Sequence, residues 1–160
     1  METSLALATD LRVRFITFIE GKILFIHRIT KNHPEGYYVL PGGGVDDGET
    51  PEIALLREAE EEVNLVITPQ RLLFTAIYKG TEATHTQLFY ECGVISGELM
   101  AGNGIESSPE WQAEFGTHTP VLLDITDISL VTIQPRCAQI YLTKYAENIA
   151  ASPYITYYDL

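Results

Sequence analysis

The stretch from Leu40 to Leu65, LPGGGVDDGETPEIALLREAEEEVNL, constrains this chain more than any other. Three consecutive glycines, Gly42, Gly43 and Gly44, let the backbone pass where side chains would block it. A helix-start signal follows: Thr50 suits the N-cap, Pro51 the first helical position and Glu52 the positive first turn. The pattern predicts a helix from Pro51 through Val63. Asn64 is placed to end it as a left-handed residue. Tyr37 to Leu40 reads as a short strand delivering the chain into the glycines, so the order is strand, Gly-rich loop, helix.

On that helix Glu58, Glu61 and Glu62 stand at i, i+3 and i+4, within one arc of the surface. Leu55, Leu56, Ala59 and Val63 occupy a neighbouring arc that would face the core. Like charges at this spacing cost a helix roughly 0.2–0.5 kcal/mol per pair. A hard divalent cation held by oxygen ligands would offset that cost. Arg57, beside them, can orient a carboxylate through a two-pronged hydrogen bond. The alternative is a solvated acidic face, the usual fate of a charge run.

The spacing separates these readings. From Gly43, five residues lead to Glu49, seven more to Arg57-Glu58, and then come Glu61-Glu62, Asn64 and Leu65. This resembles the Nudix box, G-x5-E-x7-R-E-U-x-E-E-x-G-U with U aliphatic, departing from it only at Asn64, where the family has glycine. Asn is the non-glycine residue that most readily visits positive φ, so the departure is mild. A P-loop reading of the glycines fails, because no Gly-Lys-Ser/Thr follows them.

The resemblance implies a fold, a chemistry and roles. The fold implied is a Nudix-type α/β/α sandwich with a mixed central sheet. The chemistry implied is hydrolysis of a pyrophosphate linkage in a nucleoside diphosphate derivative, with Mg²⁺ or Mn²⁺ as cofactor. The carbonyl of Gly43 and the carboxylates of Glu61 and Glu62 are implied as metal ligands. Glu58 is implied as a ligand or the general base, while Arg57 holds the carboxylates in place and Glu49 braces the loop. A Nudix-fold sensor without turnover and an RNA-end pyrophosphohydrolase are the alternatives. The complete carboxylate set disfavours the first, and the absence of a basic stripe disfavours the second.

The 160 residues suit one domain, taken as 1–160, and the pattern of helices among mixed strands predicts the α/β class. The formal charge of −12 argues against a nucleic-acid polymer or an anionic membrane as partner. A small phosphorylated ligand arriving with cations remains compatible, and a homodimer is left open. Cys92 and Cys137 read as free buried thiols, as expected in a reducing cytoplasm. The apolar run Leu5–Ala8 is too short for a secretory signal.

Arg12–Glu20 and Lys22–Thr30 predict a hairpin turning at Glu20-Gly21. His33–Gly36 reads as loop. Strands follow over Arg71–Tyr78, Thr84–Ile95 and Val121–Ile125, and a helix opens at Pro135 and runs through Ile149. Arg28, ending an early strand, and Tyr38 nearby are the candidate substrate contacts, with Lys31 and Tyr37 beside them. His27, His33, His85 and His118 show no ligand spacing and read as ordinary residues. The irregular segment before the last core strand offers Glu106, Glu110 and Glu114 as a remote acid or base. Glu110, flanked by Pro109 and Trp111, is the choice among them.

Overall fold

A computed structural model describes residues 8–102 and 108–159. Among the described residues ten strands fall into two sheets. The first holds β1 (Ala8–Ile16), β5 (Gly42–Gly44), β6 (Leu65–Lys79), β7 (Ala83–Gly97) and β10 (Ile155–Tyr158), in the order β10-β6-β7-β1-β5. Pairs β1·β7 and β10·β6 are parallel, while β1·β5 and β6·β7 are antiparallel. The second holds β2 (Phe18–Ile19), β3 (Lys22–Thr30), β4 (His33–Val39), β8 (Thr117–Leu123) and β9 (Ile133–Gln134). In it β3 is flanked by β8 on one side and by β2 and β4 on the other; β4 pairs in parallel with β9. The α/β class and the mixed pairing agree with the sequence reading; the strands are shared between two sheets.

Side-chain alternation along the strands builds two cores. Leu24 and Ile26 join Val13, Phe15, Tyr90 and Cys92 in a cluster closed by α1 (Pro51–Val63). Ile23 and Phe25 join Ile16, Phe74 and Phe89 in a second cluster, closed by α3 (Arg136–Tyr145). Because β3 is buried on both faces, it reads as a near-continuous apolar run, KILFI, without the polar alternation of a one-sided strand. The second core is aromatic: Phe74 stacks on Phe89 at 4.1 Å and on Tyr141 at 4.4 Å. Such ring pairs contribute about 0.5–1.5 kcal/mol beyond area burial.

The helix that carries the glutamates is built as its sequence predicts. The Thr50 side chain accepts from the Ile53 N–H, and Pro51 opens the helix. Asn64 ends it at φ 61°, ψ 36°, its N–H donating to the carbonyls of Ala59 and Glu60. Its side-chain amide also donates to the Glu98 carbonyl at 2.9 Å. The buried face differs at three positions: Leu56 is exposed, while Ala54 and Glu62 are buried. A glutamate is thus buried beside the core-facing arc.

Five stretches fold differently from the sequence reading. The expected hairpin shrinks to Phe18–Ile19 pairing with Lys22 and Ile23, because Ala8–Ile16 joins the first sheet beside β7. His33–Gly36 is not loop but the start of β4, which pairs Thr30 with His33 and Arg28 with Tyr37 across an irregular step. Gly36, at φ +79°, occupies that step, and a Cβ there would meet the His27 ring. The irregular segment contains a two-turn helix, α2 (Pro109–Phe115), capped by the Ser108 hydroxyl. The chain after β8 turns into a 3₁₀ segment, Ile125–Leu130, started by Asp124. The last long helix stops at Tyr145 and tightens into a 3₁₀ segment, Ala146–Ala151. Glu106 and the run Leu5–Leu7 lie outside the described residues. Among the described residues no helix is long and apolar enough to cross a membrane.

Candidate active site

The glycines place the loop by what they lack. Gly42, at φ +144°, pairs with Arg14 across β1·β5, and a Cβ on it would lie 2.0 Å from the Val13 carbonyl oxygen. A Cβ on Gly43 would lie 2.3 Å from Glu58 Oε1. At Gly42 only glycine permits the approach, while at Gly43 a side chain would displace the Glu58 carboxylate, so the loop backbone lies directly against it.

Arg57 ties that arrangement together. Its Nε donates to Glu49 Oε2 at 2.9 Å and its second amino group to Glu49 Oε1 at 3.0 Å and the Gly44 carbonyl at 2.9 Å. The remaining amino group donates to Glu58 Oε1 at 3.0 Å and Glu61 Oε2 at 3.2 Å. Glu49 also accepts from the Asp46 N–H, and its carboxyl is held down to about 2, chiefly by the Arg57 hydrogen bonds. The same partners push the Arg57 guanidinium pKa up. Burial pushes the Glu58 carboxyl above its ordinary range; Arg57 opposes this and the charges of Glu62 and Glu61 add to it.

Glu58, Glu62 and Gly43 line one side of a cleft of about 700 Å³. The same cleft is lined by Arg12, Arg14, Arg28 and Arg136, with Tyr37, Trp111 and His118. Four of the chain's ten lysines and arginines therefore converge on one cavity of a strongly acidic protein. Arg14 is held by the Leu40 and Gly42 carbonyls, at 3.1 and 3.4 Å, and by Gln87 at 3.3 Å. Burial lowers its pKa and the Glu62 charge partly restores it. An arginine remains charged under such shifts.

Glu62 is only 5% exposed, and its Oε1 has no hydrogen-bond donor; His118 Nε2 stands 3.5 Å away. A buried carboxylate oxygen without a donor is costly unless a cation reaches it. An all-oxygen set of Glu62, Glu58 and the adjacent Gly43 backbone suits Mg²⁺ or Mn²⁺. Glu61 points instead to Arg57, half exposed and outside the cleft lining. Among the described residues no group of three His, Cys, Asp or Glu side chains is already gathered at metal-holding distance.

The other sequence candidates divide. Arg28 lines the cleft. Tyr38 does not: β4 alternation turns it to the opposite face, where it stacks on His27 at 4.6 Å and meets Phe25 edge-on. Its neighbour Tyr37 faces the cleft in its place. Glu110 sits exposed in the first turn of α2, outside the lining, while Trp111 and His118 bring that segment into the cavity. Arg12 and Arg14 went unselected although the alternation R-V-R, with Val13 buried between them, was there to read.

A family model described as the NUDIX domain matches residues 10–114. The chain belongs to the Nudix family. Among its relatives is an 8-oxo-dGTP diphosphatase of Proteus vulgaris, 37% identical over 84 residues, which cover 52% of this chain and 75% of that protein. An ADP-ribose pyrophosphatase of Methanocaldococcus jannaschii is 38% identical over 87 residues, covering 52% of this chain and only 50% of that protein. The solution structure of the E. coli ORF135 protein superposes with a TM-score of 0.68 at 19% identity, covering 92% of this chain and 95% of that one. An ADP-ribose pyrophosphatase from Streptococcus suis gives 0.60 at 20% identity, covering 92% and 98%. At those identities the Nudix fold is what the two structures share. Both cysteines of this Nudix chain are free and buried, and burial pushes the Cys92 thiol up to about 12.

Proposed function

We propose that this Nudix hydrolase cleaves the pyrophosphate linkage of a small nucleoside diphosphate derivative by attack of water on phosphorus. One observation carries the reading: two helix carboxylates, Glu58 and Glu62, and four arginines line a single cavity. A diphosphate needs cationic partners for its non-bridging oxygens, and arginine binds them in a planar, two-pronged way. The names of the matched Proteus and Methanocaldococcus relatives, both pyrophosphate-cleaving enzymes, support the reaction class.

In this reading Glu62, Glu58 and the Gly43 carbonyl hold Mg²⁺ or Mn²⁺, with Glu61 joining if its contact with Arg57 is released. The bound cation supplies charge neutralisation and a water acidic enough to act near neutral pH. Arg57 fixes the direction in which Glu58 presents its carboxylate. Glu58, with its pKa raised by burial, is the group best matched to accept a proton from water. Arg12, Arg14 and Arg136 would hold the diphosphate oxygens, and Tyr37 offers a ring to the nucleoside.

The test is a panel of nucleoside diphosphate derivatives, ADP-ribose and 8-oxo-dGTP included, incubated with Mg²⁺ or Mn²⁺. The reading expects a nucleoside monophosphate among the products and loss of turnover on chelation. Binding without product formation from any compound would leave only a ligand-sensing role.

A further inference from the structure

We propose that Arg28 and His118 act as one donor pair for the phosphoryl group that lies beside Glu62, with Trp111 as their backing wall. The inference rests on the pyrophosphate reading and adds the residues that grip one end of the ligand.

Strand register makes the pair. Arg28 of β3 is the direct cross-strand partner of His118 on β8 and of Tyr37 on β4. Cross-strand partners share a face, and all three side chains line the cleft as a row. Helix α2 closes over the row. The Trp111 ring lies 5.3 Å from the Arg28 guanidinium carbon and meets His118 edge-on at 6.0 Å. One Arg28 amino group is pinned to the Phe115 carbonyl at 3.2 Å. The guanidinium is thus fixed from behind by a cation–π contact and a hydrogen bond.

What the row lacks is partners in front. Five buried side-chain nitrogen or oxygen atoms among the described residues have no hydrogen bond, and four of them meet here: Arg28 Nε, both His118 ring nitrogens and Glu62 Oε1, the last standing 3.5 Å from His118 Nε2. The His118 side chain is 12% exposed. Buried polar atoms are nearly always satisfied, so such a concentration marks the place of an absent ligand.

The chemistry of that ligand follows from the atoms. Arg28 Nε only donates, and a neutral imidazole donates from one nitrogen in either tautomer. Two donors beside a carboxylate suited to a cation match a phosphoryl group, whose oxygens only accept and which carries the charge that both donors and cation favour. A nucleobase edge would leave Arg28 and the Glu62 charge poorly used.

Trp111 is the only tryptophan of the chain, which supplies a direct readout. Inorganic pyrophosphate with Mg²⁺ should change its fluorescence saturably. Arg28→Lys and His118→Leu should each weaken that binding by about tenfold or more, in keeping with the loss of a charge-assisted hydrogen bond. His118→Gln, which keeps an amide donor, should recover part of the loss. The double variant should lose less than the product of the two single losses, because the pair shares one ligand. On a confirmed substrate KM should rise in each variant. Wild-type pyrophosphate affinity in Arg28→Lys and His118→Leu would overturn the proposal. So would no response to pyrophosphate, or a response to an unphosphorylated nucleoside alone, which would assign the row to the base. Pair-dependent pyrophosphate binding without turnover on any nucleotide would sink the hydrolase reading and leave the pair standing. Turnover with unchanged pyrophosphate affinity in the variants would sink the pair alone.

Discussion

On the helix side of the cleft Glu49, Glu58 and Glu61 all accept hydrogen bonds from Arg57, whereas on the β3–β8 side Arg28 Nε and both His118 nitrogens have none. The first region is complete without a ligand. Its network sets the position of the glycine loop and the carboxylates before anything binds. The second region carries buried polar atoms that cost roughly 1–3 kcal/mol each while unpaired. A fold keeps such atoms where a ligand will satisfy them. Glu62 links the two: it comes from the helix, but its free oxygen faces His118. The difference separates residues that shape the site from residues that wait for substrate.

If the Arg57 side is a self-sufficient brace, removing its centre should do the most damage. Arg57→Leu frees four carboxylates and the Gly44 carbonyl at once. Turnover of a confirmed substrate should drop by about 10²-fold or more, since misplacement near 1 Å already costs that much. A drop smaller than tenfold would show that the glycines alone position the loop.

The end of the braced helix gives the next largest effect. Asn64→Val should cost on the order of 1–2 kcal/mol, because a β-branched residue clashes at φ 61°. Asn64→Gly should be close to neutral, since relief of the left-handed backbone offsets the lost bond to Glu98. Denaturant unfolding of both variants checks this. Equal midpoints would mean that the left-handed geometry carries no cost.

A smaller effect is pH-dependent. The Glu49 carboxyl, held down to about 2 by Arg57, has a folded pKa below its ordinary value of 4.5. Its contribution is therefore fully present above about pH 4.5 and is lost as pH falls towards 2. Wild type should melt a few degrees above Glu49→Gln near neutrality, and the two curves should converge as pH falls through that window. A gap that persisted at pH 2 would remove the charge from the explanation.

The smallest effect separates the cleft from its surroundings. Glu110→Gln should turn over within about twofold of wild type, because Glu110 is exposed and outside the cavity. A loss near 10²-fold would return the remote acid to α2 and redraw the second wall.

The helix side was legible in the sequence because it is local. Thr50, Pro51, the glutamate spacing and Asn64 all act within one loop and one helix, where residue order and geometry correspond directly. The opposite wall is not local. His118 meets Arg28 through strand register across ninety positions of chain, and Trp111 reaches both through a short helix. Nothing in the residues around His118 announces that partner, so a lone histidine in a Thr-rich strand reads as ordinary. Tyr38 and Tyr37 differ only by strand phase, and the irregular step between Arg28 and Thr30 sets that phase.

The measurement that bears most directly on this division is turnover of Glu62→Gln at saturating Mg²⁺ on a confirmed substrate, with melting followed in parallel. The substitution keeps shape and removes one charge from the only carboxylate shared by both walls. The account predicts a loss of at least about 10²-fold, with a melting temperature equal to or above wild type because a charge beside Glu58 is gone. Wild-type turnover in a folded Glu62→Gln would contradict it.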